Sequence, residues 1–175
     1  MPLLLARMRD DLDRSGALGP STAAWMWSAY TAYAAVTTTA LAAPPGKPPL
    51  RPALRAGALA VTAAGGALAA AGTRRFAGPA QLTGTVAGDL VTGGVYGWSR
   101  NPQYTGLVVA LAGLAAVRRS PAAAALAAGL AGVYRAWVPH EEAHLVEHFG
   151  APYRRYAAST RRWLGRAPRP RPSPG

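Results

Sequence analysis

The sequence predicts an all-α fold: an integral membrane helical bundle of four transmembrane helices, the last two paired as a C-terminal hairpin. Three observations carry this. Half of the 175 residues are hydrophobic and only 15% are charged, against about a quarter in soluble domains. Residues 23–43 contain no charged side chain and reach the roughly 20 residues that a helix needs to cross hydrocarbon. Two apolar runs, 104–117 and 121–138, are joined by the four-residue turn Arg118, Arg119, Ser120, Pro121. The seven acidic residues keep out of all these stretches: they are Asp10, Asp11 and Asp13, then Asp89, then Glu141, Glu142 and Glu147.

The elements follow in order. Residues 1–22 form an N-terminal cytoplasmic segment in which Arg7, Arg9 and Arg14 alternate with the three aspartates, a solvated mixed-charge stretch without assigned chemistry. The first span, 23–43, carries Trp25, Trp27, Tyr30 and Tyr33 at its start, where amphipathic rings favour the headgroup boundary. It is too long, and too far from the N-terminus, for a signal-peptide core. Pro44, Pro45, Pro48, Pro49 and Pro52 then make a stiff connector, since proline lacks the amide donor and restricts the residue before it. The second span, 53–72, offers Gly57, Gly65, Gly66 and Gly72 for close approach of a neighbouring helix. Phe76 to Ser99 has no helical period and reads as a loop. Pro121 suits the first position of the last arm, where its missing amide has no partner to lose. The arm before it, from Tyr104, rises only about 20 Å and must tilt or start among the headgroups. Residues 164–175 read as a disordered basic tail.

A net charge of +12 raises nucleic-acid binding in a soluble chain. Here the basic residues bracket apolar segments, and no nucleic-acid recognition motif is present, so the expected partner is the lipid bilayer. Arg154, Arg155, Arg161, Arg162, Arg166, Arg169 and Arg171 crowd the end of the chain, where anionic headgroups attract each at about 1 kcal/mol. With four crossings, the excess of basic residues puts both termini in the cytoplasm, as in a bacterial-type cytoplasmic membrane, with Arg118 and Arg119 dissenting. The chain has no cysteine, which excludes disulfides, thiolate metal sites and a cysteine nucleophile.

Two polar segments flank the hairpin. The first holds Gly94, Tyr96, Arg100, Asn101, Pro102, Tyr104 and Gly106; the second holds Glu141, Glu142, Leu145, Phe149, Gly150, Tyr153 and Tyr156. The pattern G-x-Y, R-N-P-x-Y-x-G, then E-E-x-x-L-x-x-x-F-G-x-x-Y-x-x-Y resembles the isoprenylcysteine carboxyl methyltransferase and phospholipid methyltransferase family. The resemblance implies a membrane methyltransferase domain over 23–163, with cofactor motifs at 90–106 and 141–156 enclosing S-adenosylmethionine in a cytoplasmic pocket. By the same resemblance Gly94, Tyr96, Arg100, Asn101, Pro102, Tyr104, Gly106, Glu141, Glu142, Tyr153 and Tyr156 bind the cofactor, and Glu142 and Glu141 are the candidate catalytic residues. Gly93, Gly94 and Gly106 allow the backbone to pass close to a nucleotide, and the tyrosines, with Trp163, offer ring faces to a sulfonium. Arg100 suits either a cofactor carboxylate or the membrane boundary.

Methyl transfer from a sulfonium mainly needs alignment in a dry site. An ammonium acceptor must first lose a proton, and Glu142, Glu141 and His144 are the nearest bases. The acceptor class stays open between a phospholipid amine, a hydrophobic carboxylate and a thiol. Other readings are a sterol-type membrane reductase using a nicotinamide cofactor, against which Gln103 and Leu107 depart from the usual pattern, and a non-enzymatic protein of the same fold. His140, Glu141 and His144 also spell H-E-x-x-H, but a catalytic zinc site wants a third ligand, and the three histidines read better as polar groups on a wet helical face. Val95, Gly97 and His140 depart from the family pattern, which normally has proline, a basic residue and arginine there.

Overall fold

The computed structural model describes residues 2–44, 48, 50–76, 78 and 88–165. Within them the chain forms six α-helices: α1 (Pro2–Ser15), α2 (Pro20–Ala42), α3 (Pro52–Thr73), α4 (Pro102–Arg118), α5 (Pro121–Phe149) and α6 (Ala151–Ser159), with a 3-10 turn at Gly94–Gly97. Part of the proline connector, residues 77 and 79–87 of the 76–99 loop and the tail from residue 166 lie outside the described residues.

Helices α3 and α4 pack backbone to backbone. A Cβ on Gly65 would lie 2.4 Å from the Ala110 nitrogen, and one on Gly106 would lie 2.4 Å from the Ala69 nitrogen. Further along the same seam Gly72 faces Gln103 and Gly113 faces Thr62. Small residues thus replace side-chain interdigitation with direct backbone contact, the usual way to join helices where lipid removes the hydrophobic drive. Of the four glycines expected to serve this purpose, Gly65 and Gly72 do so, whereas Gly57 and Gly66 face open space.

Among the described residues only α3 combines the length and mean hydropathy of a membrane span, with 6% of its apolar window buried. The other three expected spans differ for identifiable reasons. Helix α2 carries serines, threonines, tyrosines and tryptophans through its 23 residues, α4 has only 17 residues, and the apolar start of α5 contains Arg135. A four-span bundle is therefore an expectation that hydropathy supports at one helix.

The hairpin turn seals the far end of the bundle. Arg118 Nε donates to the Leu41 carbonyl at 2.7 Å, Ser120 Oγ to Ala40 at 3.0 Å and Arg119 Nη1 to Pro48 at 2.5 Å. Two cationic side chains thereby satisfy carbonyls at and just beyond the C-terminus of α2, where the helix dipole favours them. Ser120 caps α5 through the Ala123 amide, with Pro121 at the first turn as expected. Helix α5 then runs unbroken through Pro139 to Phe149, carrying the expected span and the glutamate pair on one rod, and stops at Gly150 with φ 57°.

The N-terminal segment is not the solvated stretch that its charges suggest. It is helix α1, whose Leu4 and Met8 are buried against Leu18, Ala23 and Trp137. Asp11 accepts a hydrogen bond from the Gly19 amide at 3.0 Å, tying the end of α1 to the start of α2. Hydrogen bonds from Thr22 and Gly19 hold that carboxyl below its usual range. The effect is to fold α1 back over the end of the bundle opposite the hairpin turn.

Candidate active site

Beneath α1 lies a cavity of about 270 Å³ where the start of α4, the C-terminal half of α5 and helix α6 converge. The 3-10 turn positions its first tyrosine. Gly94 adopts φ 64°, a left-handed conformation that favours glycine. Tyr96 follows, buried, with its hydroxyl donating to Gln103 Oε1 at 3.0 Å, while the Tyr156 hydroxyl donates to the Tyr96 carbonyl at 2.8 Å. Tyr96, Tyr153 and Tyr156 form one buried cluster. Burial pushes the Tyr153 hydroxyl up to about 12, so it stays a neutral donor at physiological pH.

The two polar segments meet through one ion-paired cluster. Arg100 donates from Nε to Glu142 Oε1 at 2.9 Å and from Nη2 to Oε2 at 3.0 Å, and both side chains are 12% exposed. Its Nη1 is spent on the Ala157 and Thr160 carbonyls, at 2.9 and 2.7 Å. Arg162 reaches the same carboxylate from the chain end, with Nε and Nη2 at 3.0 and 2.7 Å from Oε2. The segment that carries Arg162 is itself stitched down: Arg100 N donates to Arg161 O, Asn101 Nδ2 to Arg162 O, and Gly165 N to Trp98 O. Fork-shaped pairing of this kind is directional as well as strong, so Glu142 acts as the knot between motifs 42 positions apart.

Glu141, one residue earlier, faces a different environment. It lines the cavity and accepts a hydrogen bond from the Tyr104 hydroxyl at 3.3 Å. Among the described residues no arginine pairs with it. Burial is the main cause that pushes its carboxyl up to about 7; Tyr104 and Trp137 pull it down in part, and the neighbouring Glu142 charge adds to the rise. Two adjacent carboxyls are thus driven to different states by their surroundings, one locked in an ion pair and the other poised near neutrality.

Of the residues assigned from the sequence, Tyr96, Arg100, Asn101, Tyr104, Glu141, Glu142, Tyr153 and Tyr156 line the cavity. Gly94, Pro102 and Gly106 stand behind it. Gly106 meets α3 and Pro102 is buried at the N-terminus of α4, so in this structure they hold helices and turn in place. Trp163 is not among the lining residues. Within the protein, Arg100 is committed to Glu142 and to the Ala157 and Thr160 carbonyls. His144 and His148 line the cavity with parallel rings 6.1 Å apart, while His140 points outward. Among the described residues no three metal-donor side chains converge. Sequence reasoning missed Arg162, because it stands in a run of tail arginines, and missed Met8 and Leu12, because α1 reads as charged.

The structure thus combines a small-residue seam between α3 and α4, one strongly apolar helix, and a polar and aromatic cavity at the bundle end. The phospholipid methyltransferase family model matches residues 56–152, more than half of the chain, and the chain belongs to that family. The match covers nearly all of α3, all of α4 and α5, and the glutamate pair, and agrees with the motif resemblance. No curated protein and no solved structure matches the chain significantly.

Proposed function

We propose that the protein is an integral membrane methyltransferase that uses S-adenosylmethionine to methylate the amine of a lipid at the cytoplasmic surface. The observation that carries the reading is the cavity-facing carboxyl of Glu141, poised near pH 7 beside an ion-locked Glu142. The cavity fits such a cofactor: tyrosine rings suit a sulfonium, and the Asn101 and Glu141 side chains suit its hydroxyl and amino groups. When bound, the cofactor supplies an activated methyl group on sulfur.

The chain's own residues do the rest. Glu141 as carboxylate accepts a proton from the acceptor ammonium, leaving the nitrogen lone pair free to take the methyl group. Tyr104, donating to Glu141 Oε2, fixes which oxygen faces the acceptor. Glu142 cannot serve as this base while two guanidinium groups hold it; it positions Arg100 and the C-terminal segment instead. The aromatic walls exclude water, which strengthens the attraction between a cationic substrate and the Glu141 carboxylate, with Asp89 a second acidic member of the lining.

Because the base form of Glu141 grows as pH rises through about 7, kcat should rise over the same range. E141Q should lower kcat by about 10²- to 10⁴-fold and flatten the profile. The stability effect has the opposite sense. Between the ordinary value of 4.5 and about 7 the folded chain keeps a proton that the unfolded chain has released, so stability falls as pH rises across that window. E141Q should remove that fall, visible as melting temperatures measured at pH 4 and pH 8. Transfer of labelled methyl groups to extracted membrane lipids tests the acceptor class: N-methylated lipid supports the reading, and methyl esters or thioethers contradict it.

The proposal includes four crossings with both termini cytoplasmic. The dissenting Arg118 and Arg119 have a local use, holding carbonyls at the end of α2 and in the connector beyond it, which weakens their vote against this orientation. Since the chain lacks cysteine, single cysteines at Arg51 and Ala158 can be labelled cleanly from either side. Labelling of both from the same side contradicts the topology.

A further inference from the structure

The cavity has two chemically distinct walls. One is the tyrosine cluster of the matched motifs. The other is aliphatic: Met8, Leu12, Leu18 and Met26 reach the cavity from α1, α2 and the turn between them and belong to the apolar cluster that includes Trp137. All four lie outside residues 56–152, and none offers a strong hydrogen-bonding side chain. Glu141 and Tyr104 are hydrogen-bonded polar members of the same lining, and Glu141 also accepts from Trp137, around which the aliphatic side chains pack. We infer that the aliphatic wall is the acceptor subsite, holding the first part of a lipid hydrocarbon chain while the headgroup nitrogen reaches Glu141. This deepens the methyl-transfer reading and rests on it.

The chemistry separates the two walls. A nucleotide cofactor set against Met8 and Leu12 would leave its hydroxyl and charged groups without partners, whereas a hydrocarbon chain loses nothing there and gains its burial. Methionine is unbranched and adaptable, suited to chains that vary in length and unsaturation. The location fits as well. Trp25 and Trp27, 50% and 43% exposed on the same corner of α2, mark a headgroup-level boundary, and the Arg7 guanidinium lies 5.4 Å over the Trp25 ring. A lipid arriving sideways from the bilayer meets this corner before it meets the motifs.

The test uses full-length protein in phosphatidylcholine nanodiscs containing a phosphatidylethanolamine with a diazirine in one acyl chain. After illumination, mass spectrometry should map label to α1 and α2 around Met8, Leu12 and Met26. M8W, and separately L12W, should lower that label at least fivefold while affinity for S-adenosylmethionine stays within twofold. The ratio of kcat/KM for long-chain to short-chain amine lipids should fall at least tenfold in both variants. Circular dichroism checks folding, and M8A, which widens the wall, should instead raise the relative rate with bulkier chains. Label confined to lipid-facing positions such as Leu54, Leu59 and Val61 of α3, or label around Met8 indifferent to M8W and L12W, overturns the inference. Label on the aliphatic wall without any cofactor affinity in the wild type supports a chain-binding wall and overturns methyl transfer.

Discussion

Replacing Glu142 by glutamine is expected to destabilise the protein by about 3 kcal/mol and to reduce methyl transfer at least 100-fold. Glu142 accepts from Arg100 and Arg162 at once, within 2.7 to 3.0 Å. The isosteric amide leaves two guanidinium groups facing each other, with Arg100 only 12% exposed and unable to recover its hydration. The loss has a second consequence. Arg100 also holds the Ala157 and Thr160 carbonyls, so the C-terminal segment should loosen and the tyrosine wall with it. R162Q should be milder, because Arg162 is 40% exposed and solvent already screens its charge. The combination of R100Q with E142Q should recover part of the stability lost in E142Q alone, since both charges then leave together. Thermal melts of the three variants, with cofactor affinity measured on each, decide the matter. An E142Q protein that melts with the wild type would show that the knot contributes nothing.

The second large effect is at the seam between α3 and α4. G106A should cost about 2 kcal/mol, and G106L should prevent recovery of folded protein. A Cβ at this position meets the Ala69 nitrogen at 2.4 Å and the Gly65 carbonyl at 2.6 Å. Both are backbone atoms within helices, so no rotamer change can relieve the overlap and the helices must separate. Since α4 starts at Pro102, one turn before Gly106, its displacement carries Arg100, Asn101 and Tyr104 away from the glutamate pair. The control is G66A, at an exposed glycine of the partner helix α3 with nothing within 4 Å. There alanine should be neutral or favourable by up to about 1 kcal/mol through helix propensity. Equal melting temperatures for G106A and G66A would contradict backbone packing as the reason for the seam.

These two sites also show what could be read from the chain alone. The glutamate pair and the Arg100 to Gly106 segment were legible because spacing and residue type together are specific, and the structure does bring most of their side chains to one cavity. The distinction between Glu141 and Glu142 was not legible, because adjacent carboxyls look alike until their partners are known, and one decisive partner, Arg162, sits in an undifferentiated basic run. Gly65 and Gly72 were legible as packing glycines, yet Gly106 was assigned to the cofactor since a motif glycine gives no hint of which neighbour needs the space. Helix α1 was hidden for another reason. Its inward residues Leu4, Met8 and Leu12 recur every four positions, but the arginines and aspartates between them dominate the composition, and only contact with Leu18, Ala23 and Trp137 reveals which face matters.

The central claim is that the ion pair across the hairpin builds one pocket for a sulfonium nucleotide. Calorimetric titration of S-adenosylmethionine into the purified, folded full-length protein tests it most directly. The expected result is one saturable site per chain, abolished in E142Q at a temperature where that variant is still folded. No heat of binding from well-folded wild-type protein, or equal affinity in E142Q, contradicts it.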